Sequence, residues 1–328
     1  MAVSGTVSQT VFNTRKVVDH AFRRCRLPPE GVGSEQLQVA LESLYLILSQ
    51  LANRGLQLWC IDKHLMPLYE AQGIIEMPNG IVDILNTNLR TVENVTGTII
   101  TTSTTSTTQF STETQVTTIG ILWSGASTSV AFETSSDGIS WTTVATEANP
   151  NASANTYTWY DIEGSLATLY FRTRAVTGTL NATIVFLSNT PTEIPMARLN
   201  RDDYVNLPNK AFQGRPLQFW VKRQLNNPYL YLWPVPSAEF ITAQVVVWVK
   251  RYIMDVGTLT QEIEVPQRWY DSIVYLLAAR LAEEIPTVDP QLMVVLDQKA
   301  QRALKEAEDE ERDDSPIYLT PNIAVYTR

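Results

Sequence analysis

The sequence predicts an α+β protein: a helical core domain with a small β-sheet, interrupted by an inserted all-β sandwich. Three observations carry this. From Thr91 to about Asn189 lysine disappears and threonine rises to about a quarter of the residues, a composition that suits a pleated sheet and disfavours helix. On either side, apolar residues recur at helical spacing. Within the last third, Tyr229-Leu-Tyr-Leu-Trp-Pro-Val-Pro236 alternates aromatic and aliphatic residues, reads as a strand buried on both faces, and is stopped by prolines that cannot donate a ladder hydrogen bond.

At 328 residues the chain exceeds what one hydrophobic core usually supports. The boundaries expected are residues 1–91 and 191–312 as two halves of one core, 92–190 as the insert, and 313–328 as an extended C-terminal arm. An insert at an exposed loop is tolerated when its ends lie close together. The apolar fraction is 44%, the charged fraction 18% and the net charge −9. That balance disfavours wrapping nucleic acid through phosphate neutralisation. No apolar run approaches the roughly 18 residues of a membrane span, and Met1-Ala-Val-Ser-Gly-Thr lacks a leader's basic and apolar regions, so neither membrane nor export is expected.

Val7, Val11, Val18, Phe22 and Cys25 mark the apolar face of a first helix, made basic by Arg15, Lys16, Arg23, Arg24 and Arg26 and ended by Pro28-Pro29. Ser34 is placed as the N-cap of a second helix, with Leu37, Leu41, Leu44, Tyr45, Leu48 and Leu51 as its stripe and Gly55 as its close. Gly73–Leu85 reads as a strand hairpin turned at Pro78-Asn79-Gly80.

Inside the insert, Ser135-Ser-Asp-Gly138 is a turn between strands Ser129–Thr134 and Ile139–Val144. The phrase Phe132-Glu-Thr-Ser-Ser-Asp-Gly-Ile-Ser-Trp141, with Trp159-Tyr-Asp161 and Tyr170-Phe-Arg-Thr-Arg174, resembles discoidin-type modules. The resemblance implies a jelly-roll-like sandwich. It also implies a possible binding surface at Trp141, Trp159 and Arg172, for carbohydrate or another surface.

In the third block a second strand over Ala243–Val249 pairs with the first, with Asn226-Asn-Pro228 as a turn. A helix opened by Pro266 then carries Trp269, Ile273, Leu276, Leu277 and Leu281, so apolar a set that it must be largely buried. Asp289-Pro290 caps a last helix, whose face is read as Leu292, Leu296, Lys299, Ala303 and Ala307. The acidic run from Glu306 to Asp314 sits where the helix dipole disfavours it, so either the end frays or arginines and lysines of a partner offset it. Beyond it, Ile317, Tyr318, Leu319, Ile323, Val325 and Tyr326 are too apolar for an idle tail and too broken by proline for a helix.

Chemistry finds little support. Cys25 and Cys60 are too few for a disulfide framework. Cys60 and His64 in Trp59-Cys-Ile-Asp-Lys-His64 lack any nucleophile signature, His20 lies on a solvent face, and Glu283-Glu284 point in different directions on a helix. Gly31-Val-Gly33 follows prolines rather than a strand, and no metal-ligand spacing occurs. The Asn-x-Ser/Thr matches at Asn94, Asn151 and Asn181 are chance in so Thr-rich a chain. No catalytic residue, metal or cofactor is expected, and the chain is read as not an enzyme.

Ile194-Pro-Met-Ala-Arg-Leu-Asn-Arg-Asp-Asp-Tyr204, Leu207-Pro-Asn-Lys-Ala-Phe-Gln-Gly-Arg-Pro216 and Tyr229–Pro236 together resemble the head-to-tail adaptor (tail accessory, or head completion) family of short-tailed bacteriophages. The resemblance covers most of the first block and nearly all of the third. It implies a structural virion protein, assembled in the host cytoplasm, that forms a dodecameric ring. Such a ring binds the portal protein, offers a platform to the tail nozzle protein, and passes genomic DNA without sequence-specific binding. Ile317, Tyr318, Leu319, Ile323, Val325 and Tyr326 would then be the portal-docking arm, and tail fibres a possible partner of the insert. The alternative is a carbohydrate-binding tail or receptor-recognition protein acting through the insert.

Overall fold

The computed structural model describes residues 13–311, apart from 29–30, 55–57, 127–128, 149–154, 156, 163–164, 190, 255 and 287. The C-terminal arm, with all six of its candidate docking residues, lies outside the described residues, as do Val7 and Val11. The chain divides into two compact units, residues 1–60 with 252–328 and residues 61–251. These divisions fall at 60/61 and 251/252, not at 91 and 190. The strands that flank the insert therefore belong with it and not with the helices.

The first unit contains helices α1 (Thr14–Arg24) and α2 (Ser34–Arg54) from the start of the chain. Asn13 caps α1 by accepting from the Lys16 amide at 3.1 Å. The α1 face that packs is Val17, Val18, Ala21 and Phe22, closed by Cys25. In α2 the buried stripe is Ala40, Leu44, Ile47, Leu48 and Leu51. Tyr45, expected in that stripe, is exposed, and Ile47 takes its place, because the 3.6-residue period carries position 45 past the edge of the buried face.

Two further helices complete this unit from the end of the chain, and are numbered after a short α3 (Arg201–Val205) of the second unit. They are α4 (Tyr270–Glu284), entered through a 3-10 turn at Gln267–Trp269, and α5 (Pro290–Glu310). Trp269, Ile273, Leu277, Ala278 and Leu281 are all essentially buried. On α5 the packed stripe is Leu296, Ala300, Leu304 and Ala307, so Lys299 and Ala303 of the expected face give way to Ala300 and Leu304. The acidic end of α5 is offset from within: Arg54 pairs with Glu308 at 2.6 Å, and buried Glu311 accepts from Arg268 and from the Trp269 indole N–H.

The second unit is all strands but for α3 and short turns. In chain order they are β1 (Ile61–Pro67), β2 (Ile74–Glu76), β3 (Ile81–Thr91), β4 (Thr98–Thr101), β5 (Thr105–Thr114), β6 (Thr118–Trp123), β7 (Ser129–Ser135), β8 (Thr142–Ala148) and β9 (Tyr157–Asp161). The chain continues through β10 (Thr168–Ala175), β11 (Ala182–Ser188), β12 (Thr192–Pro195), β13 (Ala197–Arg198), β14 (Gln213–Gly214), β15 (Gln218–Lys222), β16 (Tyr229–Trp233), β17 (Val235–Pro236) and β18 (Gln244–Arg251).

Two pairs of sheets result. One sheet runs β1-β18-β3-β12 and another β13-β15-β16-β2. They share one core, to which Leu89, Val245 and Val247 contribute from the first and Ile75, Phe219, Leu230 and Leu232 from the second. Two expected hairpins are thereby corrected. β2 and β3, joined through Gly80 at φ +89, pair with different sheets, and so do β16 and β18. Local alternation identifies each strand, but the partner is chosen by long-range packing that no local pattern records.

The segment 92–190 forms the other pair, β4-β5-β10-β7-β8 and β11-β6-β9. Phe110, Phe132 and Phe171 from the first meet Ile119, Ile121, Trp123 and Leu187 from the second in a separate core, which makes this segment a β-sandwich. The turn after β7 is held by Asp137, whose carboxylate accepts from the amides of Ile139 and Ser140, both at 2.8 Å; β8 begins at Thr142, three residues later than expected. The ends of the segment come together, because Thr91 of β3 and Thr192 of β12 are direct partners.

Candidate functional sites

Three clusters of chemistry-bearing side chains stand out in the second unit. The first lies on the outer face of the five-stranded sheet. Because side chains alternate along β10, Phe171 and Thr173 turn to the core and Tyr170, Arg172 and Arg174 to the outside. Arg172 and Arg174 converge on Glu133 of β7, donating from Nε at 2.7 and 3.0 Å. Burial alone would raise the Glu133 pKa, but hydrogen bonds from Arg174 and Arg172 outweigh it and hold the group below its ordinary value. The Arg172 guanidinium lies 3.9 Å over the Trp141 ring, a cation–π contact, and Ile139, two residues before Trp141 in the chain, is 84% exposed.

Of the three insert residues singled out in the sequence, the structure joins two. Trp159 sits on β9 of the other sheet and is 5% exposed, so it presents no ring to a ligand. Its side chain lies across Gly120 and packs with Tyr157 and Phe186. An aromatic at that point of a strand serves the sheet, and sequence alone does not distinguish the two roles.

The second cluster is electrostatic. Arg90 of β3, with a side chain 4% exposed, donates to Asp161 of β9 at 2.6 Å and to Glu193 of β12 at 3.0 Å. Lys63 of β1 donates to the other Asp161 oxygen at 2.5 Å. Burial would raise both carboxyl pKa values. For Asp161 the hydrogen bonds from Arg90 and Lys63 reverse this, and for Glu193 those from Asn88 and Arg90 do. Both groups end below their ordinary values. The arrangement ties the sandwich to the sheet that carries it.

The third cluster is one the sequence reading missed. β16 is not buried on both faces: Leu230 and Leu232 are buried, while Tyr229, Tyr231 and Trp233 face outward, half-buried. Trp220 of β15 stands opposite Tyr231, and Tyr204 of α3 stacks on Trp220 with centroids 4.9 Å apart and planes at 19°. These rings border a cleft of about 620 Å³ with Ile74, Lys210 and Lys222 at its sides. The signal was present in Tyr229-Leu-Tyr-Leu-Trp233, where aromatic rings recur at every second position between leucines, and in Trp220, which alternates with buried Phe219 and Val221.

Both cysteines are buried, and neither is in a disulfide. Burial pushes the Cys25 pKa up to about 11, and its thiol donates to the Ala278 carbonyl. Cys60 is 1% exposed, which denies its sulfur to a substrate. His20 is exposed on α1. No helix of the described residues is long and apolar enough to cross a membrane.

No protein-family model and no curated protein matches the chain. Solved structures show weak likeness. CBM32-1 from a family 31 glycoside hydrolase of Clostridium perfringens aligns at 11% identity and a TM-score of 0.24, over 26% of this chain and 70% of that one. The F5/8 type C domain of a Bacteroides fragilis protein gives 13% and 0.23, over 26% and 64%. A family 32 CBM from C. perfringens NanJ, solved with galactose, gives 10% and 0.22, over 40% and 95%. Similarity at this level assigns no function.

Proposed function

We propose that this chain is a structural adaptor of a short-tailed bacteriophage, without catalytic activity. Copies form a dodecameric ring at the portal vertex of the virion, between the portal protein and the tail nozzle protein, and the genome passes through it. The support from sequence is the run of linked phrases between Ile194 and Pro236. The observation that carries the reading is on the helical unit, which leaves adjacent pairs of large apolar side chains in solvent. Tyr45 and Leu46 on α2 are 46% and 55% exposed, and Val294 and Val295 on α5 are 58% and 43%. Single exposed apolar residues are ordinary, whereas doublets on two helices of one unit fit contacts between copies. A net charge of −9 per copy, repeated around a ring, would keep DNA from sticking to a channel wall.

In this reading Ile317–Tyr326 docks on the portal, and the cost of ordering it is offset by apolar burial. Sedimentation of the chain with its portal ring tests the proposal. Co-sedimentation that is lost on truncation after Asp314 is the expected result; no association at any salt concentration would overturn it. A second reading, carbohydrate binding through the sandwich, has its own observation in the Trp141–Arg172 pair. It requires glycan-array binding that Trp141→Ala abolishes and truncation of the arm leaves intact.

A further inference from the structure

The aromatic cleft has no part in ring formation as proposed above, and its chemistry is specific. Ile74 and Val205, which line it, are 48% and 55% exposed, and Phe212, between the lining residues Ala211 and Gln213, is 53% exposed, a concentration of apolar surface in one place. Val235 and Leu232 also line it, the only ionisable side chains with a formal charge that line it are Lys210 and Lys222, and no carboxylate does so among the described residues. Lys210 is engaged, donating to the carbonyls of Val205 and Leu207 at 2.9 and 3.2 Å, with its ammonium over the Tyr204 ring. Lys222 is exposed at the rim.

The ring geometry selects the kind of occupant. A nucleobase needs an open aromatic face on which to stack. Here the rings are engaged with one another: Tyr204 stacks on Trp220, and Tyr231 packs against both at 5.3 and 4.8 Å. Beside them the lining supplies the aliphatic side chains of Ile74, Val205, Leu232 and Val235 and two ammonium groups. That combination fits an extended peptide with apolar and proline residues and a neighbouring carboxylate.

We infer that the cleft binds the C-terminal segment, residues 313–326, of a second copy of this chain. Its sequence, Asp-Asp-Ser-Pro-Ile-Tyr-Leu-Thr-Pro-Asn-Ile-Ala-Val-Tyr, has two carboxylates ahead of a proline and an apolar triplet, and then repeats the proline–apolar pattern. Asp313 and Asp314 complement Lys222, and Ile317, Tyr318 and Leu319 supply the apolar filling. The chain continues for 17 residues past Glu311, which extends to at most about 60 Å, ample to reach a neighbour. That the donor is a second copy rests on the self-association proposed above, which would bring segment and cleft to high effective concentration; the chemistry of the cleft does not depend on it. A portal would then have to compete for a segment already held, so that arm docking is an exchange of partners.

The test is fluorescence anisotropy of a labelled peptide of residues 312–328 titrated with the full chain. Saturable binding in the micromolar range is expected, weakened about tenfold by Ile74→Asp and by Lys222→Glu, both at exposed side chains, and about tenfold by serine at Ile317 and Tyr318 of the peptide. The same two serine changes in the full chain alter none of the residues that line the cleft, and they should reduce its self-association in sedimentation. Three results would overturn the inference: no peptide binding up to about 1 mM, binding indifferent to both cleft substitutions in folded protein, or displacement of the peptide by oligothymidylate in preference to unlabelled peptide. Peptide binding without portal co-sedimentation would sink the adaptor reading alone, and the converse would sink only the cleft.

Discussion

A guanidinium held between two carboxylates and almost closed from solvent costs little while all three are charged and a great deal when one is missing. Arg90 is in that position, with Asp161 and Glu193 as partners and Lys63 and the Thr118 hydroxyl as further donors to Asp161. Replacing it by methionine keeps much of the stem's packing and, among the described residues, leaves Glu193 with Asn88 as its side-chain donor. The expected loss is about 3 kcal/mol, read as a lower urea midpoint of the strand unit. The pH dependence has a definite sign. Both carboxyls are depressed in the folded state, so the unfolded chain binds more protons between the folded and unfolded pKa values. Their contribution is therefore full above the unfolded values, 3.8 and 4.5, and falls away as pH drops through the folded ones. In urea titrations between pH 7 and pH 3, Arg90→Met should show a shallower acid loss than the parent; parallel curves would mean that the cluster is not what couples stability to pH.

At the scale of elements, the three-stranded sheet of the sandwich is built around a missing side chain. Gly120 of β6 pairs with Trp159 of β9 and with Phe186 of β11. A Cβ at Gly120 would lie 2.5 Å from the Trp159 ring, which Tyr157 and Phe186 flank. Gly120→Ala should cost the sandwich about 1–3 kcal/mol by overpacking, and Trp159→Leu in the same chain should recover part of it. An unchanged unfolding midpoint for the single variant would show that the ring can move aside. Which elements were legible in the sequence follows from the range of the interactions that make them. The helices at both ends are set by local period and caps: Asp289 accepts from the Gln291 amide at the start of α5, as Asp-Pro foretells. Strands such as β16 were visible for the same reason, since β16 alternates whether or not its partner is known. Register and sheet membership were not, because they are decided by residues far away in sequence, as when Tyr231 finds Trp220 on one side and Ile74 on the other. The aromatic cleft went unread because alternation tells that two faces differ and not which of them a third element will cover.

At the scale of the molecule, the 92–190 sandwich starts and finishes on neighbouring strands. Thr91 pairs with Thr192 and Arg90 with Glu193, so the excursion leaves β3 and returns beside it. Its core shares no residue with the one between the other two sheets. A tight two-residue turn such as Asn-Gly in place of residues 92–191 should therefore be able to close β3 onto β12. The chain so shortened should keep the helical circular dichroism of the parent and a cooperative unfolding transition. It would lose Asp161, leaving Arg90 with Glu193 alone, so its acid sensitivity should shrink toward that of Arg90→Met. The same variant separates the two functional readings. In an adaptor the sandwich decorates a ring made elsewhere, and co-sedimentation with the portal should survive its removal. In a carbohydrate-binding protein the Trp141–Arg172 pair goes with it, and all glycan binding should vanish while the rest of the chain stays folded.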